Sequence, residues 1–475
     1  MLPLLILLLL LAALCGVLIL RALRFRGKPP EPVAAEDVPV DADLAVERLR
    51  AMLRVRTVSR LGEAPGPEFA AFRALIRQLY PAVFETCRTE LVGDTGLLLR
   101  WQGREDGPPA VFLSHYDVVP AEEPGWPHPP FDAVLEDGVL WGRGALDMKN
   151  QLCAVLEAME YLILRGFRPE RDIYFAMSGQ EEIMGPDAAR IRDLLRDRGI
   201  RPRFVVDEGG DVMENVFPGA KVTCAMVGVG EKGVGNLYFT ARSAGGHASV
   251  PTEDNPLPRL CHAMERIGTE PFPQRSTPAL ERMVDTLGRY CPFRTRLLLA
   301  NRDLLRPLYF RWLRKQGGML YAGSRTTFAL TRARGSQAGN VIPPEAEFFA
   351  NLRMLYGDTT ASVTEALKRR MDDPSIEITC TPGSEPRPDS LCTEGWEELT
   401  RAIRESFPGA VVTPYLMVGG TDSRHYRDIC DNVYRFSAKA VTGAEKATVH
   451  GVGERIRVEN TRRAAQFFVR LMARC

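Results

Sequence analysis

Strand-like and helical segments alternate between about residues 70 and 230, and this alternation constrains the fold more than any other feature of the sequence. The apolar runs "AVFLSHYDVV", "DIYFAMS" and "RFVVDEGG" are typical of buried strands. Between them, "NQLCAVLEAMEYLILRG" and "AARIRDLLRDRG" have the apolar spacing of helices. Because helical crossovers connect parallel strands, the pattern predicts an α/β domain with a mostly parallel central sheet.

A second, smaller domain is predicted where this pattern changes near residue 230. The segment "GNLYFTARSAGGHASVP" has the polar alternation of a half-buried strand, and helical segments rich in Arg and Leu continue to about residue 320. The next runs, "TTFALTRARG" and "AEFFANLRML", indicate two more strands. We therefore predict an inserted α+β domain over residues 230–356, which divides the main domain into residues 44–229 and 357–475.

Residues 1–24 are predicted to form a transmembrane anchor, because the first twenty residues carry no charged side chain and are long enough to cross a bilayer. A cleaved signal peptide usually begins with a basic segment, which this chain lacks, so an uncleaved single-span anchor is favoured over a signal peptide. Residues 25–43 are rich in proline and charge and indicate a linker. These features predict a membrane protein, and they leave the side of the membrane open.

Composition excludes several other classes of site. The 61 lysines and arginines nearly balance the 60 acidic residues, and the body of the chain has no basic run, so no nucleic-acid partner is expected. The ten cysteines contain no C-x-x-C pair, which argues against a thiolate metal site and a dense disulfide framework.

Side chains that bind metals occur in four successive loops of the α/β pattern. Because the carboxyl ends of parallel strands meet at one edge of a sheet, we expect these loops to lie together. So many carboxylates need a cation to stay ionised, and mixed histidine and carboxylate ligands suit zinc, with manganese or cobalt as alternatives. Each motif alone is weak, since H-x-D pairs and adjacent glutamates also occur in surface turns. The candidates are His115, Asp117, Asp147, Glu181, Glu182 and Asp207.

Eight ordered motifs resemble those of the two-zinc aminoacylase/carboxypeptidase family, peptidase family M-20. They are "SHYDVVP", "WGRGALDMKN", "GQEEIMG", "VVDEGG", "AGGHASVP", "GNVIPPEAEFFANLR", "GGTDSRHY" and "HGVGERI". The resemblance covers about residues 44–475 and is nearest to the branch of carboxypeptidase S and the N-fatty-acyl-amino acid synthase/hydrolases. It implies a zinc-peptidase-like catalytic domain, with the inserted domain as a lid or dimerisation domain and a homodimer as an option.

The resemblance also implies roles for individual residues around two metal ions. His115 and Asp207 would bind one ion, Glu182 and His450 would bind the other, and Asp147 would bridge both. Glu181 would be the general base, and Asp117 would fix the tautomer of His115. Only the resemblance identifies His450, because it lies far along the chain from the other candidates.

Three further residues are implied to contact the substrate. His247 would stabilise the oxyanion, often from a partner subunit in this family. Asn340 and Arg353 resemble residues that hold the free carboxylate of the substrate, and an arginine suits such a bidentate contact. Arg353 could equally be an exposed strand residue.

The expected function is therefore a metal-dependent hydrolase with a bound pair of Zn²⁺, Mn²⁺ or Co²⁺ ions. It would cleave the amide bond of N-acyl amino acids or the C-terminal peptide bond of short peptides, through a metal-bridging water activated by Glu181. Two alternatives stay open at this point. The first is condensation of a fatty acid with an amino acid at the same site, and the second is a non-catalytic, membrane-bound binding module on the same fold.

Overall fold

The computed structural model describes residues 2–31, 33–122 and 124–475; Met1 of the predicted anchor, Pro32 of the predicted linker and Glu123 of the main domain lie outside them. The helices are α1 (Leu2–Arg24), α2 (Ala42–Arg54), α3 (Pro67–Leu79), α4 (Pro81–Thr86), α5 (Lys149–Leu164), α6 (Asp187–Asp197), α7 (Pro256–Ile267), α8 (Pro278–Leu287), α9 (Phe293–Leu299), α10 (Arg306–Gln316), α11 (Gly318–Ala322), α12 (Thr360–Met371), α13 (Trp396–Ser406), α14 (Gly443–Lys446) and α15 (Val458–Met472). Short 3₁₀ helices span Gly288–Tyr290 and Asp422–Asp428.

The strands, in chain order, are β1 (Arg88–Val92), β2 (Gly96–Trp101), β3 (Ala110–His115), β4 (Val134–Glu136), β5 (Val139–Trp141), β6 (Ile173–Ser178), β7 (Phe204–Glu214), β8 (Thr223–Glu231), β9 (Gly233–Arg242), β10 (Gly246–His247), β11 (Thr327–Arg334), β12 (Val341–Ile342), β13 (Glu345–Met354), β14 (Glu377–Ser384), β15 (Val411–Met417), β16 (Val433–Ala440) and β17 (Arg455–Arg457). The predicted strands and helices of the main domain are all present.

The main sheet has eight strands in the order β1-β2-β6-β3-β7-β16-β8-β15. Its centre, β6-β3-β7-β16, is parallel, whereas β1–β2, β2–β6 and β16–β8 are antiparallel pairs. The prediction of an α/β fold is confirmed, and the sheet is mixed rather than mostly parallel. Antiparallel neighbours arise where strands follow one another through short connections, as β1 and β2 do, because such loops cannot carry a crossover helix.

Helices cover both faces of this sheet. In β3, Phe112 packs on the side of α5 and α15, with its ring centroid 5.9 Å from that of Phe468. Its neighbours Val111 and Leu113 pack on the opposite side, with Ile191 of α6. Alternate side chains of a strand point to opposite faces, so this continuous apolar run is explained by burial on both sides. The loops at the carboxyl edge are left to carry polar groups.

A second, four-stranded antiparallel sheet has the order β11-β13-β9-β14 and packs against α7 and α12. Strand β14 pairs with β9, so this sheet extends beyond residue 356, the predicted end of the inserted domain. The central strand β9 needs a partner on each side, and β14 supplies the second one. Helix α8 belongs elsewhere, because it packs against β15 of the main sheet.

The N-terminal helix α1 is long and apolar enough to cross a membrane by length and composition. A signal sequence near the N-terminus would meet the same criterion. The predicted apolar helix is therefore present, and its role as an anchor stays a prediction.

Candidate metal centre

His115 lies at the carboxyl end of β3 and is buried. Its Nδ1 is 3.1 Å from the carbonyl oxygen of Asp117 and 3.3 Å from Asp117 Oδ1. A proton on Nδ1 would satisfy these acceptors and leave Nε2 free to bind a metal, which is the usual arrangement of a ligating histidine. Burial opposes charging of His115, but the carboxylates of Asp117, Asp147 and Glu208 outweigh it and raise its pKa well above the usual value.

Asp147 lies between two histidines. Its Oδ1 is 3.1 Å from His115 Nε2, and its Oδ2 is 3.2 Å from His450 Nε2. Glu182 Oε2 is 3.0 Å from His450 Nε2, and Glu208 Oε1 is 3.4 Å from His115 Nε2. The side chains thus form two groups of potential ligands that share the carboxylate of Asp147, as expected of a bridging ligand.

Asp117 holds the turn that contains the two adjacent glutamates. Its two carboxylate oxygens accept hydrogen bonds from the backbone N–H groups of Glu181 and Glu182, each at 3.1 Å. Ser59 Oγ donates a further hydrogen bond at 2.7 Å. One buried carboxylate therefore orients both His115 and the Glu181–Glu182 turn, which extends the role expected for Asp117.

Glu454 performs a similar task for Asp147, and sequence reasoning missed it. This buried carboxylate accepts hydrogen bonds from the backbone N–H groups of Leu146 at 2.7 Å and Asp147 at 3.1 Å. It also pairs with Arg143 Nη1 at 2.6 Å and accepts from the N–H of Gly144 at 3.1 Å. It lies in the "HGVGERI" motif four residues after His450, which was the signal available in the sequence.

The loop before Asp147 requires glycine at position 144. Gly144 has φ of +86°, and a Cβ there would lie 2.8 Å from Val118 Cγ1. Any larger residue would combine an unfavourable backbone conformation with a steric clash. The Gly-rich sequence before Asp147 therefore reflects a close approach of this loop to the segment that follows His115.

Asp207, which the resemblance implies as a ligand of the same metal ion as His115, forms other hydrogen bonds in this structure, and its role as a ligand stays a prediction. Its Oδ2 accepts a hydrogen bond from the backbone N–H of Ser423 at 2.8 Å, and its Oδ1 accepts from the N–H of Glu208 at 2.9 Å. The next residue, Glu208, points to His115 instead. The pairing of β7 with β16 is irregular just after Asp207, where the register shifts between Asp207 and Gly210.

The residues expected to contact substrate lie outside this cluster. His247 is exposed, and its Nδ1 accepts a hydrogen bond from the backbone N–H of Ser249 at 3.2 Å. Asn340 directly precedes β12, which pairs with β10, and its carbonyl oxygen accepts from the N–H of Ala248 at 2.9 Å. Arg353 lies in β13 and donates from Nε to Asn351 Oδ1 at 3.0 Å. Within the described parts of the chain, none of the three forms a hydrogen bond or ion pair with the metal-ligand candidates.

Arg424, a second residue that sequence reasoning missed, approaches the glutamate pair. Its Nη1 is 3.8 Å from Glu181 Oε1, and the same atom donates to the carbonyl oxygen of Thr421 at 2.7 Å. The neighbouring Asp422 is buried and accepts a hydrogen bond from Ser178 Oγ. Burial raises the pKa of Asp422 to about 6. The "GGTDSRHY" motif therefore closes the acidic cluster on the side of Glu181.

The charges of the cluster fit bound metal ions. Burial raises the pKa of Glu181 well above its usual value and that of Glu208 to about 8, so these carboxyl groups retain protons when no cation is present. Oε1 of Glu182 is buried without a hydrogen-bond partner. Among the described arginines and lysines, only Arg424 pairs with a carboxylate of the cluster. These acids, together with two histidines, suit divalent cations.

A cavity of about 600 Å³ lies elsewhere, lined by residues that include Pro108, Arg203 and Cys475. Pro108 precedes β3 and Arg203 precedes β7, so the cavity lies at the amino ends of these strands. The metal-ligand candidates lie at their carboxyl ends, where ligands bind in sheets of this kind. Chemistry rather than cavity size therefore identifies the candidate site.

Comparison with known proteins places this arrangement in a family. The model of peptidase family M20/M25/M40 matches residues 111–474. An N-fatty-acyl-amino acid synthase/hydrolase from Bos taurus is 35% identical over 87% of this chain and 84% of its own length. A probable carboxypeptidase S-like protein from Dictyostelium discoideum is 31% identical over 96% of this chain and 91% of its own length.

Among solved structures, a metallo-carboxypeptidase of the M20 family from Sulfolobus solfataricus has a TM-score of 0.66 with 16% identity. The match covers 90% of this chain and 98% of that structure, and it supports the fold alone. The resemblance inferred from the eight motifs, including its branch, is therefore confirmed. The chain belongs to peptidase family M20/M25/M40 and is an enzyme, a hydrolase of the metallopeptidase, carboxypeptidase-like type.

Proposed function

We propose that this enzyme hydrolyses the amide bond of N-acyl amino acids or the C-terminal peptide bond of short peptides. The observation that carries the proposal is the position of Asp147, whose two oxygens face His115 and His450 while Glu181 stands beside them. Similarity to a protein named N-fatty-acyl-amino acid synthase/hydrolase favours an acyl amino acid as the substrate. Membrane attachment through α1 and a homodimer are further parts of the proposal.

Two metal ions would be held by the two groups of side chains. His115, Asp147 and Glu208 would bind one ion, and His450, Asp147 and Glu182 would bind the other. Zinc suits this ligand set best, with manganese or cobalt as alternatives. When bound, such ions polarise an amide carbonyl and lower the pKa of a bound water. Asp117 and Glu454 would keep the ligands in place through the hydrogen bonds described above.

Glu181 would act first as the general base and then as the general acid. Its carboxylate lies with His115 and Glu208, so it can accept a proton from an attacking water and deliver it to the leaving amine nitrogen. Two bound cations beside Glu181 would keep its carboxylate ionised and able to accept that proton. Arg424, whose Nη1 is 3.8 Å from Glu181 Oε1, would keep the side chain oriented toward the cluster.

His247, Asn340 and Arg353 stay predictions as substrate-binding residues. They belong to the second sheet or to the turn beside it, so they would reach a substrate only from a closed lid or from a partner subunit. Burial lowers the pKa of Arg353, and a partly buried guanidinium of this kind could bind the carboxylate of a substrate. Its bond to Asn351 equally fits an ordinary strand residue.

Condensation of a fatty acid with an amino acid is the second candidate. It is favoured by the name of the bovine relative, which joins synthase and hydrolase. The same residues would act in reverse, with Glu181 taking a proton from the attacking amine and giving it to the departing hydroxyl group of the fatty acid, which leaves as water. A non-catalytic binding module is not supported, because the chain matches a peptidase family and its relatives are named as enzymes.

A substrate panel with the full-length enzyme tests the proposal. The purified protein, loaded separately with zinc, manganese or cobalt, is incubated with N-fatty-acyl amino acids, N-acetyl amino acids and dipeptides. Hydrolysis of an acyl amino acid or a dipeptide is expected, and Glu181→Gln should lower kcat roughly 100- to 10,000-fold while metal content is unchanged. The exposed Glu63→Gln is the matched control. Full activity of Glu181→Gln would refute the assignment of the base.

A further inference from the structure

The last turn of α1 is packed against the body of the enzyme. Ala22 and Phe25 are buried in a cluster with Leu299 and Tyr309. The guanidinium of Arg21 donates to both carboxylate oxygens of Asp303, each at 2.9 Å. The helix therefore leaves the body in a defined direction, and Phe25, at the start of the predicted linker, packs against the body.

The chain after α1 continues these contacts. The backbone N–H of Gly27 donates to the carbonyl oxygen of Arg289 at 3.0 Å, and Tyr290 Oη donates to the carbonyl oxygen of Lys28 at 2.9 Å. A Cβ at position 27 would lie 2.8 Å from the ring of Tyr290, so this close approach needs glycine. Residues 21–28 thus hold the end of α1 against the region around α9 through side-chain and backbone contacts.

The segment between α9 and α10 reaches the apolar part of α1. Asn301 Nδ2 donates to the carbonyl oxygen of Leu18 at 3.0 Å, three residues before Arg21, the first charged side chain of the sequence. Three residues of an α-helix span about 4.5 Å. If α1 crosses a bilayer, Asn301 and the residues that follow it therefore lie at the depth of the membrane surface.

The residues that follow Asn301 expose large apolar side chains. Leu304 and Leu308 are 53% and 56% exposed. Scattered exposed leucines are common on protein surfaces, but these two follow Asn301, which contacts α1 at Leu18, by only three and seven residues. Two leucines close to the bilayer gain free energy by leaving water for the boundary of headgroups and acyl chains.

The charge of the region complements an anionic membrane. Residues 293–316 contain seven arginines and lysines and a single acidic residue, Asp303, which is paired with Arg21. Two of the seven pair with acidic residues from outside the segment, Arg302 with Glu281 and Asp285 and Arg314 with Glu270. Arg306 and Arg311 are exposed on α10 next to the two leucines. Basic side chains flanking exposed leucines are the pattern of helices that lie in the interface of membranes rich in anionic lipids.

We propose that residues 300–311, the interfacial segment, insert Leu304 and Leu308 into the headgroup region of a bilayer that contains anionic lipids. Together with α1, the interfacial segment holds the enzyme in one orientation on the membrane. The inference rests on α1 being a membrane span, which is part of the proposed function, and it is independent of the catalytic assignments.

Site-specific labelling of the full-length protein in vesicles tests this contact. Cys15→Ala and Cys261→Ser remove the two exposed thiols. Leu304→Cys or Leu308→Cys then carries an environment-sensitive dye, and the protein is reconstituted in vesicles with anionic phospholipid and nitroxide lipids labelled near the headgroup. The expected result is a blue shift of the emission and quenching by the nitroxide at both positions, more strongly in anionic than in zwitterionic vesicles.

Two controls separate the inference from its premise. Leu164→Cys, at the end of α5 and 69% exposed, provides a label at an equally accessible leucine, which should emit as in water. The parent without an added cysteine gives the background, and extraction with alkaline carbonate tests whether α1 is inserted. Release by carbonate would overturn both the span and the inference. If the protein is retained in the vesicles after carbonate treatment but the dye at positions 304 and 308 emits as it does at position 164, the inference alone is overturned. Loss of hydrolysis would affect neither the extraction nor the emission.

Discussion

Glu454→Gln tests whether a buried carboxylate outside the metal-ligand set controls metal binding. Glu454 is fully buried, and its side chain joins the loop that ends at Asp147 to the segment that begins at His450. Both of these residues are proposed ligands of the second metal. The substitution keeps the size of the side chain and removes its charge. The four donors to the carboxylate are Arg143 Nη1 and the backbone N–H groups of Gly144, Leu146 and Asp147.

The expected magnitude follows from how these donors are shared. One carboxylate oxygen accepts from Leu146 and Asp147, and the other accepts from Arg143 and Gly144. In glutamine an NH₂ group replaces one of the two carboxylate oxygens. Because this group cannot accept hydrogen bonds, at least two hydrogen bonds are lost in either orientation. At about 1.5 kcal/mol for each hydrogen bond to a charged group, the substitution should lower the free energy of unfolding by about 3 kcal/mol. Loss of such supporting groups typically weakens metal binding by about 10- to 100-fold.

A second buried glutamate provides the matched control. Glu405 is buried and pairs with Arg474, whose Nη2 lies 2.8 Å and 2.7 Å from its two carboxylate oxygens, but neither residue contacts the metal-ligand candidates. Glu405→Gln is therefore expected to destabilise the fold by a similar amount and to leave metal affinity unchanged. Competition titration with a chelating dye measures the affinity for zinc, and urea unfolding of the metal-free protein measures stability.

Zinc affinity and unfolding stability are compared between the two variants. Loss of zinc affinity in Glu454→Gln, with none in Glu405→Gln, is the expected outcome. If both variants lose affinity equally, general destabilisation explains the effect. If Glu454→Gln binds zinc as the unmodified enzyme does, the hydrogen bonds to the Asp147 loop do not position the ligand and the reasoning is refuted.

Three further predictions concern the site and the core. Glu208→Gln is expected to lower metal affinity by about 10-fold or more, whereas Asp207→Asn should preserve it, and equal losses in a zinc titration would contradict the assignment. Burial raises the pKa of Glu208 to about 8, so below that pH a metal must displace its proton. His450 also has a raised pKa, of about 10, because its imidazole is hydrogen-bonded to the carboxylates of Asp147 and Glu182. Metal affinity should therefore rise from about pH 6 to about pH 10 as these protons are lost, and a flat profile by calorimetry would disagree. Phe112→Ala should reduce the free energy of unfolding by about 3–5 kcal/mol in urea titrations, because Phe112 is fully buried. The exposed Tyr356→Ala should change it by less than about 0.5 kcal/mol, and similar losses would contradict the burial argument.

Much of the fold was predictable because its signals are local. The apolar run of β3 and the helical spacing of α5 identify their elements without tertiary information, and the positions of His115 and Asp147 follow from the ends of those elements. The extent of the second sheet was not predictable in this way. Strand β14 pairs with β9 across more than 130 residues of chain, and no periodicity in "IEITC" indicates which sheet it joins.

The site shows the same division between local and distant information. The sequence by itself determined which residue types occupy the carboxyl edge of the sheet, and the ordered motifs identified His450 and the family. Only the tertiary structure decided that Glu208 rather than Asp207 faces His115. It also assigned Glu454 to the loop of Asp147 and packed the end of α1 against Asp303. Each of these depends on where a side chain points among partners distant in sequence, and such directions are set by packing and hydrogen bonding of the whole chain rather than by local pattern.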